Sequence, residues 1–318
     1  MRPRRCDLLL CCVSMVAMAL GFAMNAQALV VRDAAGKPVS IADASRIVSI
    51  GGAVTEILYA IGLEDRIVAV DTTSLFPDSV RDKPKVGYMR QLSPEGVLGL
   101  APTLVLASEG AGPKETISVL ESASVPFVSV PDHYTGDGIL EKISVVSAAA
   151  GATARGDCLR NALKSDLDAL SLLRKEIDRP KKVLFVLSFM NDRPMVAGRA
   201  TAADGIIKMA GAANAIQEYE GYKLINEEAI IAARPDAILV MQRGDQSLTA
   251  DVVFANPAFR TTPAAKTKSF ISMEGLYLLG FGPRTAQAAR DLASTLYPEL
   301  RSGKLPSETA GQFASTCR

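Results

Sequence analysis

The segment KVGYMRQLSPEGVLGLAPTLVLAS, residues 85–108, contains the pattern that decides the fold. Residues 93–95 (SPE) are typical of a helix start, with serine as the N-cap, proline at the first helical position and an acid in the first turn. The apolar run at residues 103–107 (TLVLA) follows this short helix and predicts a buried strand. Tyr88 and Arg90 precede the helix in a loop. The segment therefore predicts an α/β unit with a candidate site beside the helix.

The second half of the chain repeats this pattern. In EGVLGLAPTLVLA (95–107) and EAIIAARPDAILV (228–240), a glutamate lies seven residues before a proline and an apolar strand follows. A Gly-Tyr pair, at residues 87–88 and 221–222, precedes each glutamate. Self-similarity of this kind indicates a duplicated unit, so we expect two related lobes.

A long helical segment separates the two halves. Strands alternate with helices before residue 137 and again after residue 180, whereas Thr153–Ile177 reads as one amphipathic helix about 40 Å long. We predict an α/β fold with two Rossmann-like lobes, each with a parallel sheet, joined by one long backbone helix. The expected divisions are 29–150 for the first lobe, 151–178 for the linking helix and 179–318 for the second lobe. Ligands of such sheets bind past the carboxyl ends of the strands, so two facing lobes predict a cleft.

The N-terminal 28 residues have a different role. Arg2, Arg4 and Arg5 precede an uncharged apolar run, Leu8–Met24, and Ala26-Gln27-Ala28 matches a cleavage site. This order predicts a secretory signal peptide cleaved after Ala28 and an exported protein. A membrane anchor is disfavoured because the run is short for a span and ends at the cleavage site.

Two cysteines, Cys158 and Cys317, remain after the leader. In an oxidising compartment they could form one disulfide that ties the C-terminal tail to a helix, or stay as two separate thiols. A formal net charge of +1 gives no basic excess for nucleic acid. The chain lacks GxxxxGK[ST] and GxGxxG motifs, and its single histidine restricts general-base chemistry, so we expect a protein that is not an enzyme.

Tyr88 is the strongest candidate for a metal contact. A phenolate is a hard oxygen donor suited to ferric iron, and tyrosine is a known haem ligand. A neighbouring cation favours the ionised phenolate, which is a reason for Arg90 two residues on. The alternative is a half-buried tyrosine whose ring packs and whose hydroxyl meets a carbonyl.

The mature chain resembles the haem-binding periplasmic proteins of bacterial ABC importers, within the wider group that includes siderophore- and vitamin B12-binding proteins. The resemblance is carried by four segments: RIVSIGGAVTEILYAIG (46–62), the segment 85–108, AGRATAADGIIKMAGA (197–212) and FGPRTAQAARDL (281–292). It implies that the protein captures haem b, with Fe(III), in the periplasm. Tyr88 would ligate the iron, and Arg90 would contact the phenolate.

The same resemblance implies partners. Glu95 and Glu228 would each meet an arginine pocket on one subunit of an inner-membrane ABC permease dimer, although each also suits ordinary helix capping. A haem donor such as an outer-membrane receptor would supply the ligand. We expect the receptor to be a monomer whose lobes close only slightly, because the long helix limits hinge motion.

Further residues are weaker candidates for the cleft. Tyr222 mirrors Tyr88 and could be a second ligand or a ring that stacks on the porphyrin. His133 could be an axial ligand or a propionate contact, and Arg199 and Arg243 could bind propionates because a guanidinium matches carboxylate geometry. Met89 and Met195 could line an apolar porphyrin face. Packing or solvated surface positions are the alternative for all of these side chains.

Two other functions stay open from the sequence. A ferric siderophore or a corrinoid could occupy the same cleft. A periplasmic enzyme is the other alternative, and a nucleophile hydrogen-bonded to His133 in the cleft would favour it.

Overall fold

The computed structural model describes residues 28–242, 244, 248–302 and 317. The predicted signal peptide therefore lies outside the described residues, except for Ala28. Among the helices that are described, none combines the length and the apolarity needed to cross a membrane.

Twelve strands form within these residues, and each lies in a short apolar run or a hairpin. They are β1 Leu29–Arg32, β2 Pro38–Ile41, β3 Ile47–Ile50, β4 Ile67–Val70, β5 Leu104–Ser108, β6 Phe127–Val130, β7 Lys182–Met190, β8 Arg193–Ala197, β9 Ala213–Asn214, β10 Tyr222–Leu224, β11 Ala237–Gln242 and β12 Phe270–Glu274.

Twelve α-helices connect or cover the strands in the same described part of the chain. They are α1 Gly52–Ala60, α2 Pro94–Leu98, α3 Lys114–Ser122, α4 Gly136–Ala149, α5 Thr153–Arg174, α6 Ala202–Met209, α7 Glu227–Ala233, α8 Ala250–Ala255, α9 Pro257–Arg260, α10 Pro263–Thr267, α11 Gly275–Leu279 and α12 Thr285–Leu296.

The N-terminal lobe contains a four-stranded parallel sheet in the order β4-β3-β5-β6. β3 and β5 are buried along their whole length, because helices or loops cover both faces of the sheet. β1 and β2 form a separate antiparallel hairpin. The predicted helix start is confirmed: α2 begins at Pro94, and the Ser93 hydroxyl accepts a hydrogen bond from the Gly96 backbone N–H at 3.1 Å.

The C-terminal lobe contains a mixed sheet in the order β10-β8-β7-β11-β12, with β9 also paired to β7. β7, β11 and β12 are parallel, as expected. β8 and β10 are antiparallel additions that the sequence did not predict. β8 is antiparallel to β7 because of a tight turn between them, in which Asn191 and Asp192 adopt positive φ angles of 50° and 60° and reverse the chain.

One long helix, α5, links the lobes, and α4 packs on α1, β1 and β6 of the N-terminal lobe. α4 and α5 pack on each other, separated by a break at residues 150–152. α5 buries Leu159, Leu163, Leu170 and Leu173 and also contacts α6 and α12 of the C-terminal lobe. The α/β class with two lobes and a long helix is confirmed, and the exact lobe boundaries stay a prediction. Of the two cysteine alternatives, the structure contains the disulfide, which joins Cys158 on α5 to Cys317.

Candidate ligand-binding cleft

A cleft of about 1710 Å³ lies between the lobes at the carboxyl ends of their strands. Loops after β3, β4, β5 and β6 form one wall, and β7, β10, the ends of β11 and β12, α11 and α12 form the other. The lobes approach each other closely at Gly52, where a Cβ atom would contact Leu276 and lie 2.8 Å from the Thr73 carbonyl oxygen. Glycine at this position therefore allows the two walls to meet beneath the cleft.

The cleft exposes large apolar side chains to solvent. Leu75, Phe76, Tyr88 and Tyr222 are each between 37% and 43% exposed, and all four line the cleft. Met89 and Met241 add to the apolar lining. An apolar surface collected in one concave site marks a place where a ligand with apolar faces binds.

The Tyr88 loop is held by backbone hydrogen bonds on both sides. The Thr72 N–H donates to the Gly87 carbonyl at 2.9 Å, and the Gly112 N–H donates to the Met89 carbonyl at 2.9 Å. Gly87 has a φ of 95°, a conformation that favours glycine and directs the chain into the loop. Because the backbone is fixed in this way, the Tyr88 ring lies at the cleft wall with 40% of its surface exposed.

Arg90 and three tyrosines line one part of the cleft, which we call the tyrosine end: Tyr88, Tyr134 and Tyr222. Arg90 Nη1 is 3.5 Å from the Tyr88 hydroxyl. Burial raises the pKa of Tyr222 to about 12, and the positive charge of Arg90 partly opposes that rise. Burial also raises the pKa of Tyr134, again with Arg90 in opposition. The positive charge of Arg90 thus favours ionisation of Tyr134 in the N-terminal lobe and of Tyr222 in the C-terminal lobe.

A second part of the cleft, which we call the arginine end, is formed by Phe76, Tyr277 and Arg284, with the buried Glu56 as the partner of Arg284. The buried Glu56 carboxylate accepts hydrogen bonds from Arg284 Nε at 3.0 Å and from Nη2 at 2.5 Å. The guanidinium carbon lies 3.7 Å from the centre of the Phe76 ring and 5.1 Å from that of Tyr277. Burial raises the pKa of Glu56, and the ion pair with Arg284 opposes it.

The structure brings together Tyr88, Arg90, Tyr222 and Met89 from the sequence candidates. His133 is exposed beside the cleft, and its ring does not line the cavity. The ring is turned toward α4, where its Nδ1 lies 3.1 Å from Glu141 Oε2.

Two further candidates are also placed elsewhere. Arg199 donates to the Gln217 carbonyl at 2.9 Å and lies 3.6 Å from Glu220, outside the cleft lining. Met195 lies in β8, away from the lining. Arg243 lies outside the described residues.

Sequence reasoning missed Phe76, Tyr134, Tyr277 and Arg284 as cleft residues, and Glu56 as the buried partner of Arg284. The arginine belongs to FGPRTAQAARDL, a segment noted for its resemblance but without a role. A signal was present: Glu56 is a single acid within AVTEILYAIG, a run that reads as a buried helix, and a buried carboxylate needs a partner.

Glu95 and Glu228 occupy equivalent places in the two lobes. Each is exposed at the second position of a short helix, α2 or α7. The N-caps, Ser93 and Asn226, each accept a hydrogen bond from a backbone N–H three residues on. Because Ser93 and Asn226 already cap the two helices, the carboxylates of Glu95 and Glu228 are not needed as caps. Both carboxylates are exposed to solvent, where a partner can reach them.

Two α/β lobes, a linking helix and an interlobe cleft define the architecture of a ligand-binding protein. The profile of the family described as "Periplasmic binding protein" matches residues 47–275. The chain belongs to this family.

A similar solved structure is that of the periplasmic heme-binding protein RhuT from Roseiflexus sp. RS-1, in apo form. It is 37% identical, with a TM-score of 0.76 over 81% of this chain and 100% of that one. The uncharacterized ABC transporter substrate-binding lipoprotein YvrC of Bacillus subtilis is 28% identical over 82% of this chain and 86% of its own. The vitamin B12-binding protein of Yersinia pestis is 25% identical over 62% and 69%. The chain is thus similar to substrate-binding proteins of ABC transporters.

Proposed function

We propose that the protein captures haem between its lobes and delivers it to an ABC permease of the inner membrane. The observation that carries the proposal is the contact of Tyr88 with Arg90, 3.5 Å between hydroxyl and guanidinium, at the wall of an open interlobe cleft. A phenolate oxygen is a suitable ligand for ferric iron. Haem is then the cargo of the protein.

The size and the surface of the cleft support a large apolar ligand. Sites for drug-sized molecules occupy about 300–1,000 Å³, and this cleft is larger, at about 1710 Å³. Leu75, Phe76, Tyr88 and Tyr222 offer ring and alkyl surface from both walls. A porphyrin inserted edge-on would contact both lobes and remove this apolar surface from water, which favours binding.

The two cleft tyrosines suit different roles. Tyr88 is exposed beside Arg90, and the positive guanidinium stabilises negative charge on an iron-bound phenolate oxygen by Coulomb attraction. Burial raises the pKa of Tyr222 to about 12, which opposes the ionisation that an iron-bound phenolate requires. Tyr88 is therefore the proposed iron ligand, and Tyr222 is a neutral ring on the facing wall.

Delivery is proposed to depend on Glu95 and Glu228. Both carboxylates are exposed, one on each lobe, so a permease with two-fold symmetry could engage them at the same time. The contacts of α5 with helices of both lobes support a small hinge motion when ligand binds.

A corrinoid is the second candidate ligand, because the vitamin B12-binding protein of Yersinia pestis is among the relatives. Titration of the mature protein with hemin and, separately, with cyanocobalamin distinguishes the two. We expect hemin to give the high-spin spectrum of a tyrosinate-ligated ferric haem. Saturable binding of cyanocobalamin with no response to hemin would refute the haem proposal.

The Tyr88→Phe variant tests the ligand assignment, because it removes one oxygen atom and keeps the ring. We expect weaker hemin binding and loss of the tyrosinate spectrum. Tyr219→Phe is the matched control, since Tyr219 lies outside the cleft lining with its hydroxyl 3.5 Å from the Val196 carbonyl. An unchanged spectrum and dissociation constant in Tyr88→Phe would show that another group binds the iron.

A further inference from the structure

Phe76 is an aromatic ring held at the cleft wall with one face covered and 42% of its surface exposed. The guanidinium of Arg284 covers one face at 3.7 Å from the ring centre. This is a close cation–π contact, which restrains the ring. The surface that remains open lines the cleft.

Arg284 is itself fixed by groups from both lobes. Glu56 on α1 accepts two hydrogen bonds from its Nε and Nη2 atoms, which fixes the guanidinium plane at one edge. The Tyr277 ring lies 5.1 Å from the guanidinium carbon, and its hydroxyl donates to Asp291 Oδ2 at 2.7 Å. Phe76 and Glu56 belong to the N-terminal lobe, whereas Arg284 and Tyr277 belong to the C-terminal lobe. The position of the Phe76 ring therefore depends on how the two lobes meet.

We infer that Phe76 is a stacking platform for one face of a flat macrocycle and determines specificity for planar porphyrins. Glu56 and Arg284 are positioning residues that hold this platform in place before the ligand arrives. The inference rests on the proposed function and deepens it.

The chemistry of the platform explains the specificity. Aromatic rings and conjugated macrocycles attract each other in offset stacks, and a restrained ring loses little conformational freedom when a ligand binds. A corrin ring is puckered and carries substituents above and below its plane, so it cannot lie flat on a ring fixed at the wall. A porphyrin can do so along one face.

Metal-free protoporphyrin IX separates the platform from the iron ligand, because it has the flat macrocycle without the metal. We expect Phe76→Ala to weaken the binding of hemin and of metal-free protoporphyrin IX by a similar factor, about tenfold. Tyr88→Phe should weaken hemin binding far more than protoporphyrin IX binding. Phe76→Tyr, which keeps an aromatic ring, should restore the affinity for both. Leu172→Ala is the control for loss of an exposed apolar side chain, since Leu172 is 63% exposed on α5.

Glu56→Gln tests the positioning role. We expect it to weaken the binding of hemin and of protoporphyrin IX several-fold. It should also change the circular dichroism of the bound hemin band, which reports the aromatic surroundings of the porphyrin. A lowered melting temperature with unchanged affinity and circular dichroism would overturn the positioning role. Protoporphyrin IX binding to Phe76→Ala within twofold of the parent would overturn the platform. If the parent protein fails to bind hemin, the proposed function itself is refuted.

Discussion

The buried pair Lys142–Asp132 allows a prediction about which partner is costlier to lose. Lys142 on α4 is fully buried, and its Nζ lies 2.5 Å from Asp132 Oδ1 and 3.1 Å from the Phe281 carbonyl oxygen. The Asp132 side chain is 23% exposed and lines the cleft, so water reaches it. The two substitutions that break this pair should therefore differ in their effect on the free energy of unfolding.

Asp132→Ala leaves an ammonium group inside the protein with one carbonyl as partner. Removing one member of a buried pair lowers the free energy of unfolding by roughly 3–5 kcal/mol, and we expect a loss in this range. Lys142→Met keeps the aliphatic stem and leaves the partly hydrated carboxylate, so the expected loss is smaller, roughly 1–3 kcal/mol. The double variant should be more stable than Asp132→Ala alone, because it contains no unpaired charge.

Urea denaturation followed by far-ultraviolet circular dichroism measures these differences on residues 29–318 with the Cys158–Cys317 disulfide intact. Equal slopes of free energy against urea for all variants would show that the comparison reports stability. If Lys142→Met loses as much stability as Asp132→Ala, or more, the argument from unequal burial is refuted. A double variant with a lower free energy of unfolding than both single variants would refute it as well.

Two further predictions concern Tyr222 in the cleft and the exposed pair Glu95 and Glu228. Burial raises the pKa of Tyr222 to about 12, so its hydroxyl should stay protonated at pH 11. An ultraviolet titration of Tyr222→Phe should therefore show one fewer tyrosine that ionises above pH 11. Since an unfolded tyrosine ionises near pH 10, the stability from Tyr222 is complete below pH 10 and is lost as the pH rises toward 12; an unchanged titration curve would contradict this. For docking, Glu95→Lys with Glu228→Lys should abolish salt-sensitive association with the permease and leave hemin affinity unchanged, whereas Glu227→Lys, a neighbouring exposed control, should associate normally. Docking by the double variant at parental affinity would exclude the two glutamates.

Much of the local structure followed from the sequence, because it depends on residues close in the chain. The SPE pattern placed the start of α2 at Pro94, and the apolar run after it became β5. The spacing of Tyr88 and Arg90 brought their side chains within 3.5 Å. The repeated pattern placed Glu95 and Glu228 at the same position of two short helices.

The orientation of single side chains was harder to predict. His133 follows β6, as the sequence suggested, but its ring contacts Glu141. Its neighbours Asp132 and Tyr134 line the cleft instead. Arg199 pairs with groups of its own lobe. Which way a loop side chain points depends on the nearest charge in space, and sequence position does not identify that charge.

By itself, the sequence determined two α/β lobes and a Tyr-Arg pair in a loop between a strand and a helix, since these features depend on periodicity and on neighbours in the chain. The tertiary structure alone decided the remaining walls of the cleft: the antiparallel strands β8 and β10, the Phe76 ring, and the ion pair of Glu56 with Arg284 across 228 residues of chain. The physical reason is that such contacts form only where two lobes pack against each other. That packing results from the burial of apolar surface over the whole chain rather than from any short segment.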